Sequence, residues 1–472
     1  MREYSVAERR TVLIAACMAI FVNPLAGTML NLALNDIGAD LQCSAHELGW
    51  IASIFFIVSV VAMVPAARLA DIYGKRRVFL AGTLVTIVGL LLSMTAQNIY
   101  MLYVFRGMTG IGTACISSTS VSMIVDVYPR DQRGAALAWN TACVYTGASL
   151  GPSLGGVITD LFGWRIIFLV VVPFVLLGAL MMFRFPYNIA NTKGEPFDAK
   201  GSVVYGLSIL FVMFGIISLP ELYGIAMIVV GFIILAFFVI TERRAEYPVM
   251  HLELFRNSRF TRSLTALFLN YAASYCIAFF FSLYLQNIGE MTSTEAGMFL
   301  MIQPVVQVIF TLIAGRFVDR MDLRILPTVG MSTTLIGIVM LYFSTGITYN
   351  ITMLYIAQFV LGLGFGLFSS PNTTATMAYV DRSDYNKASA LIATMRQIGM
   401  TASMGLATCL ISIFLGTEAV IEPSNYVQFV DVVKTGLLFC MAFCAIGTIF
   451  SWFRGKATSC DVASGDDQCQ RS

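Results

Sequence analysis

Charge is scarce in this sequence. Asp, Glu, Lys and Arg make up 12% of its 472 residues, whereas 58% are hydrophobic. A water-soluble protein carries about a quarter of its residues charged. The shortage excludes a set of soluble domains, although the length alone would admit two or three. Histidine is nearly absent, with two in the chain, and His46 and His251 fall between apolar runs. The ten cysteines lie mostly inside such runs (Cys17, Cys115, Cys143, Cys276, Cys409, Cys440, Cys444), where the residue acts as a small apolar filler. Neither a disulfide framework nor a metal site is expected. No phosphate-binding Walker loop is present, which speaks against an ATP-driven pump. There is no nucleophile–base pair and no cofactor loop, so the sequence predicts no enzyme and no cofactor. The net charge of +2 offers no field for a nucleic-acid partner.

Long apolar runs are what the sequence has in abundance. A run of 18 or more residues with few charges reads as a membrane-spanning helix, and continuous rather than alternating runs exclude a β-barrel. The fold class is therefore an all-α integral membrane protein in a lipid bilayer. Fourteen spans are predicted, at roughly 12–34, 48–68, 78–97, 100–125, 135–159, 166–184, 202–219, 222–241, 263–287, 295–316, 325–345, 351–374, 388–415 and 432–453. The opening "MREYSVAERR" is charged and the run behind it is too long for a cleavable leader, so that run is expected to be the first span. The stretch "YNIANTKGEPFDAKG" after the sixth span reads as a linker.

Cation placement supplies an independent test of the count. With the N-terminus in the cytosol, 25 of the 29 Lys and Arg fall on the cytosolic side, Arg165 and Lys434 fall outside, and Arg106 and Arg396 lie within spans. One miscounted span would scramble every later loop. The expected site is the plasma (inner) membrane, with many passes and both termini cytosolic.

The chain also repeats itself. "ARLADIYGKRR" (67–77) puts five charges straight after an apolar run, and "AGRFVDRMDLR" (314–324) does much the same. "YVFRGMTGIGTA" (103–114) aligns with "YIAQFVLGLGFG" (355–366), placing Gly110 and Gly112 on Gly362 and Gly364 and Arg106 on Gln358. The offsets, 248 and 252 residues, nearly agree; "RGAAL" (133–137) with "KASAL" (387–391) is a weaker third pair. Self-similarity on this scale predicts two pseudo-symmetric six-helix bundles with two inserted helices between them. The expected organisation is a bundle at 1–186, a linker with helices 7 and 8 at 187–261, a second bundle at 262–454, and a tail at 455–472. Two related bundles with a gap between them suit alternating access.

These residues resemble the major facilitator superfamily. Its signature G-x-L-x-D-R-x-G-R-K/R appears as Ala67-x-Leu69-x-Asp71-Ile72-x-Gly74-Lys75-Arg76. "RGMTGIG" (106–112) matches its R-x-x-x-G-x-G pattern. "GASLGPSLGG" (147–156) looks like the G-x-x-x-G-P-x-x-G-G motif of antiporters, and "YPRDQRG", "GWRIIF" and "ATMRQIGMTASMG" look like its fourteen-span drug:proton antiporter branch. The repeated charged turns, with Gly74 allowing a tight turn and Gly315 and Asp319 at the repeat position, would lock one of the two states; the resemblance implies that Asp71 and Lys75 join Asp126 in a charge cluster that stabilises the outward-facing state, and that Gly147, Gly151, Pro152, Gly155 and Gly156 let helix 5 pack closely and bend. Glycines four apart make one smooth helix face, and proline removes a backbone hydrogen bond.

One family feature is missing. The branch places an acid in helix 1, in a pattern like L-D-x-T-x-x-N-x-A-L-P; here "LAGTMLNLALN" has Ala26 at that position. No span carries a carboxylate near its centre, and Asp36, Asp71, Asp126, Asp160 and Asp319 all sit at span ends. The cations Arg106 and Arg396 are the intramembrane charges, and such charges face a bundle interior or water. Arginine suits carboxylate or phosphate groups. Polar residues at span centres complete the expected substrate cavity: Asn23, Asn31, Asn140, Tyr145, Asn270, Tyr271, Gln303, Gln307 and Gln358, each also readable as glue between helices. The aromatic run "YCIAFFFSLY" (275–284) is a further candidate for an apolar pocket wall, or for packing. The leading expectation is a monomeric secondary active transporter that couples protons to the export of hydrophobic small molecules. The rival is an uptake or facilitated carrier for an organic anion or neutral metabolite, and a second possibility keeps proton coupling through Asp36 or Asp126.

Overall fold

The computed structural model describes residues 4–192, 194–219, 221–244, 252–317, 321–380, 385–417 and 420–455. Fourteen α-helices run in chain order: α1 Val6–Leu41, α2 Ala45–Tyr73, α3 Lys75–Met94, α4 Ile99–Val127, α5 Arg130–Phe162, α6 Ile166–Arg184, α7 Ala199–Ile217, α8 Leu222–Glu242, α9 Ser258–Asn287, α10 Ser293–Phe317, α11 Ile325–Ser344, α12 Ile351–Ala378, α13 Tyr385–Phe414 and α14 Tyr426–Trp452. Thirteen are long and apolar enough to cross a bilayer. The exception is α5, whose glycines and hydroxyl residues dilute its hydropathy; its length and its contacts with α1 and α10 place it inside the bundle.

Local chemistry sets the helix ends. Ser5 with Glu8 and Ser44 with Glu47 form reciprocal capping boxes that start α1 and α2, satisfying amides that have no intrahelical partner. Asn98 accepts from the Met101 amide at 2.9 Å to start α4, and Asn350, 252 residues on, accepts from the Met353 amide at 3.2 Å to start α12. Gly74 separates α2 from α3 at φ 103°, a conformation that costs glycine little.

Helix packing repeats between the halves. In the first, α1 packs on α5 and α6, α4 on α2 and α3, and α3 on α6. In the second, α9 packs on α13 and α14, α12 on α10 and α11, and α11 on α14. Each contact recurs eight helices later. The closest approaches recur too. A Cβ on Gly112 would lie 2.6 Å from the Gly82 carbonyl and the Thr86 nitrogen; one on Gly364 would lie 2.8 Å from the Gly330 carbonyl and 2.5 Å from the Thr334 nitrogen. The repeat therefore extends to Gly82–Gly330 and Thr86–Thr334, at the 248-residue offset. The halves meet where α2 lies on α13 and α5 on α10, a pair of contacts that exchange under the pseudo-twofold. The inserted α7–α8 hairpin leans on α2 and α13.

One end of the bundle holds the start of α1 and the end of α14; it is called here the basic end, and its opposite the far end. At the far end the halves are laced together. Ser282 Oγ donates to the Asn31 carbonyl at 2.5 Å, and Asn287 Nδ2 donates to Asn35 Oδ1 at 3.1 Å. Asp160 of α5 accepts from the Thr294 amide at 2.8 Å, capping α10 across the interface.

Candidate functional site

A cavity of about 180 Å³ lies between the halves, walled by α1, α2, α4 and α5 on one side and α9, α10, α12 and α13 on the other. That is room for on the order of a dozen waters. Seven expected residues stand on its wall: Asn23, Asn31, Tyr145, Tyr271, Gln303, Gln307 and Arg396. Tyr145 also bonds Ser369 of α12, tying the halves together beside the cavity. Pro152, expected as a helix-bending residue, lines the cavity as well.

The other four expected residues lie behind the wall. Asn140 is buried against Cys17 of α1. Asn270 is buried with its amide 3.1 Å from Met331 Sδ. Gln358 is fully buried and neither of its side-chain polar atoms has a partner among the described residues. Arg106 is 1% exposed, with its guanidinium 4.6 Å from the centre of the Phe55 ring. Phe56 touches Tyr275 edge-on at 4.9 Å, and both line the cavity. Phe55 in turn touches Phe56 edge-on at 5.1 Å, so Arg106 stands behind the aromatic residues of the wall, and among the described residues its Nε and one terminal nitrogen have no acceptor.

The walls are built from matching positions. The offset that pairs Gly112 with Gly364 also pairs Val144, Tyr145 and Ala148 of α5 with Arg396, Gln397 and Met400 of α13, and all six face the cavity. Thr28, Phe56, Phe365 and Gln397 were absent from the sequence expectation; the repeat offset is the signal that would have found Gln397. In "YCIAFFFSLY", Tyr275 and Ala278 reach the cavity, while Phe279, Phe280 and Phe281 are fully buried in the core.

At the basic end, Lys75 is 1% exposed and bonds the Asp126 carboxylate, with Asp71 3.8 Å away. This cluster lies wholly within the first half, and it is formed while the far end is laced shut. A segment that the sequence marks only as a linker holds the α2–α3 turn in place. Asn188 Nδ2 donates to the Tyr73 carbonyl at 2.9 Å, the Lys75 amide donates to the Ile189 carbonyl at 2.8 Å, and Arg68 pairs with Glu195 at 2.6 Å. Four of the five charges in "ARLADIYGKRR" are thereby engaged: Arg68, Asp71, Lys75, and Arg76, which donates to the Phe183 carbonyl at 2.8 Å. Gly315 is exposed with open space around it; Asp319 lies outside the described residues.

The α5 glycines divide between two neighbours. Gly147, Gly151 and Gly155 abut α1 at Phe21, Thr28 and Met29, whereas Gly156 abuts Ser293 and Thr294 of α10. Close approach of this kind lets backbones pack where side chains would hold them apart. Among the described residues no three His, Cys, Asp or Glu converge as a metal site.

The chain matches the model of the Major Facilitator Superfamily over residues 16–258 and 263–459. The multidrug resistance protein Stp of Mycobacterium tuberculosis (strain CDC 1551 / Oshkosh) is 27% identical over 420 residues, covering 87% of this chain and 77% of that protein. The riboflavin transporter RibZ of Clostridioides difficile (strain 630) is 24% identical over 462 residues, covering 96% and 99%. Among solved structures, a bacterial homologue of the human lysosomal transporter Spinster, inward-facing and unoccupied, superposes with a TM-score of 0.68 at 16% identity, covering 98% of this chain and 99% of that one; that likeness is one of fold. With both halves matched and a polar cavity between them, the chain belongs to the Major Facilitator Superfamily and is a multi-pass membrane transporter.

Proposed function

We propose that the chain is a proton-coupled exporter of amphipathic small molecules in the plasma membrane, working as a monomer by alternating access. The observation that carries this reading is the cavity at a pseudo-twofold interface whose far end is laced shut by Asn31, Asn35 and Asp160. Rocking about the exchanged α2–α13 and α5–α10 contacts would break that lacing and expose the same cavity to the other side. Cation placement favours a cytosolic basic end with both termini cytosolic, and from that side the cavity would load. The closely packed α5 and the kinship with the multidrug resistance protein Stp favour export. Coupling would run through carboxylates that flank the cavity, since among the described residues none lines it; Asp36, which is close enough to Asp160 at the far end to feel its charge, is the first choice. The reading assigns transport and no catalytic step.

Everted membrane vesicles energised to be acid inside provide the test, with three labelled probes of one shape and different charge: 2-naphthoate, 2-naphthamide and a 2-naphthylmethyl trimethylammonium salt. The expected result is gradient-driven accumulation of at least one probe, with partial collapse of the pH gradient. Accumulation that ignores the gradient would support the facilitated carrier instead. No accumulation of any probe would refute export.

A further inference from the structure

We propose that the cavity selects amphipathic carboxylates, seating the carboxylate on Arg396 and an aromatic body against Phe56, Tyr271 and Tyr275. This deepens the transport reading above and rests on it for the cavity's role. Among the described residues Arg396 is the one charged side chain on the cavity wall, and no Asp or Glu lines it. Four cations elsewhere are paired with carboxylates: Arg68 with Glu195, Lys75 with Asp126, Arg165 with Asp40 and Arg324 with Asp322. Arg396 has no hydrogen bond or ion pair among the described residues; its electrostatic neighbour is Tyr145.

Three further features point the same way. Gln397, beside Arg396 and 5% exposed, has no partner for its side-chain nitrogen among the described residues; a free donor next to a free cation asks for an acceptor. Arg106 adds a second positive charge behind the aromatic residues of the wall. The matching position across the pseudo-twofold from Arg396 is Val144, which also faces the cavity, so the charge belongs to one wall and no charged counterpart stands at the matching place on the other. That is the layout of an amphipathic anion. A guanidinium fork fits a planar carboxylate in two parallel hydrogen bonds, and in a confined space of low dielectric an unopposed cation repels a cationic ligand strongly.

Equilibrium binding of the three naphthyl probes to purified protein in lipid nanodiscs tests this. 2-Naphthoate should bind about tenfold or more tighter than 2-naphthamide, the scale of a charge-assisted hydrogen bond over a neutral one, and the ammonium probe should not compete. Arg396→Gln should bring naphthoate down to the naphthamide level without moving naphthamide, and Arg396→Lys should keep part of the preference. If Arg396→Gln does not fold, Val144→Glu serves: a carboxylate on the opposite wall should weaken naphthoate and admit the ammonium probe. Equal binding of naphthoate and the ammonium probe, an unchanged preference in both variants, or no binding of any probe would overturn the proposal. Naphthoate binding without vesicle transport would instead refute the export reading and leave the anion site standing.

Discussion

In the first half of the molecule α4 carries Arg106; at the matching place in the second half α12 carries Gln358, and the backbone packing beside the two positions coincides. Gly110 and Gly362 both press on a neighbour's backbone, at the Phe55 carbonyl and at Gln303, which are themselves matching positions. Arg76 lies over the Phe183 ring at 5.6 Å, and its counterpart Arg324 lies over Trp452 at 4.4 Å. The basic ends diverge most. Lys75 and Asp126 correspond to Leu323 and Ala378, so an ion pair in one half is replaced by two apolar residues in the other. Each half is also tied off by the chain that follows its sixth helix: Asn188 to Glu195 on the α2–α3 turn, and Arg454, which donates to Asn372 Oδ1 at 2.8 Å, on α12. Backbone contacts between glycines fix a common skeleton. Side chains upon it have specialised, and charge is what changed.

The common skeleton is the costliest thing to disturb. Gly112→Ala would push a methyl to 2.6 Å from the Gly82 carbonyl, and Gly364→Ala to 2.5 Å from the Thr334 nitrogen. Both obstacles are backbone atoms, which cannot rotate away. Each substitution should cost about 3 kcal/mol, the upper part of the usual overpacking range, and cut the yield of monodisperse protein severalfold. Size-exclusion profiles and thermal melts of the pair measure this. Collapse of one variant and tolerance of the other would break the equivalence of the halves.

The basic-end difference gives a smaller effect with a sharper sign. Asp126→Ala strands Lys75, which is 1% exposed, and losing one partner of a buried pair costs about 3 kcal/mol or less here, because Asp71 remains 3.8 Å away. Lys75→Leu strands a carboxylate that is 17% exposed and should cost less. The double variant imports the second half's own pair and should recover most of the loss, as apolar replacements of buried ion pairs do. A double variant as unstable as Asp126→Ala in thermal melts would show that the two basic ends are not interchangeable.

How much of this was legible beforehand follows from what hydropathy and spacing encode. Span positions were readable because a bilayer demands long apolar helices; α5 was read despite its weak signal because the flanking loops fixed the count. Gly110 and Gly112 announced the repeat, aided by the charged turns nearby. Gly82 and Gly330 did not, although the 248-residue offset of the charged turns links them, because no charge marks the α3 and α11 register. The cavity was read in part. Asn23 and Asn270 are matching positions with the same chemistry, yet one faces the cavity and the other touches Met331. Hydrophobic periodicity separates lipid from interior, but both of these residues are interior, and the choice between them depends on how helices tilt around a gap. The clasp of Asn188, Ile189 and Glu195 on the α2–α3 turn was hidden for a different reason: a polar stretch that folds back on a charged turn has the composition of a linker.

Of the differences between the halves, Arg106→Gln should move stability least and function most. Arg106 is buried with two nitrogens unpartnered, so its cost is already present in the folded protein. Phe55 offsets part of it: a cation over an aromatic face is worth about 0.5–2 kcal/mol. Arg106→Gln removes both the cost and the offset, and the residue it installs is the one the second half tolerates at the matching place. Folded stability should therefore change by about 1 kcal/mol or less, with an increase as admissible as a decrease. Transport and naphthoate affinity should both fall, since the cavity loses the second of its two positive charges. The converse variant, Gln358→Arg, places a cation at a site with no demonstrated aromatic support, and an intramembrane arginine costs about 2.5–3.5 kcal/mol on insertion scales. It should destabilise clearly. If Gln358→Arg were tolerated and Arg106→Gln were not, the cation in α4 would be a structural pillar, and the division between a shared skeleton and specialised charge would have to be redrawn at that helix.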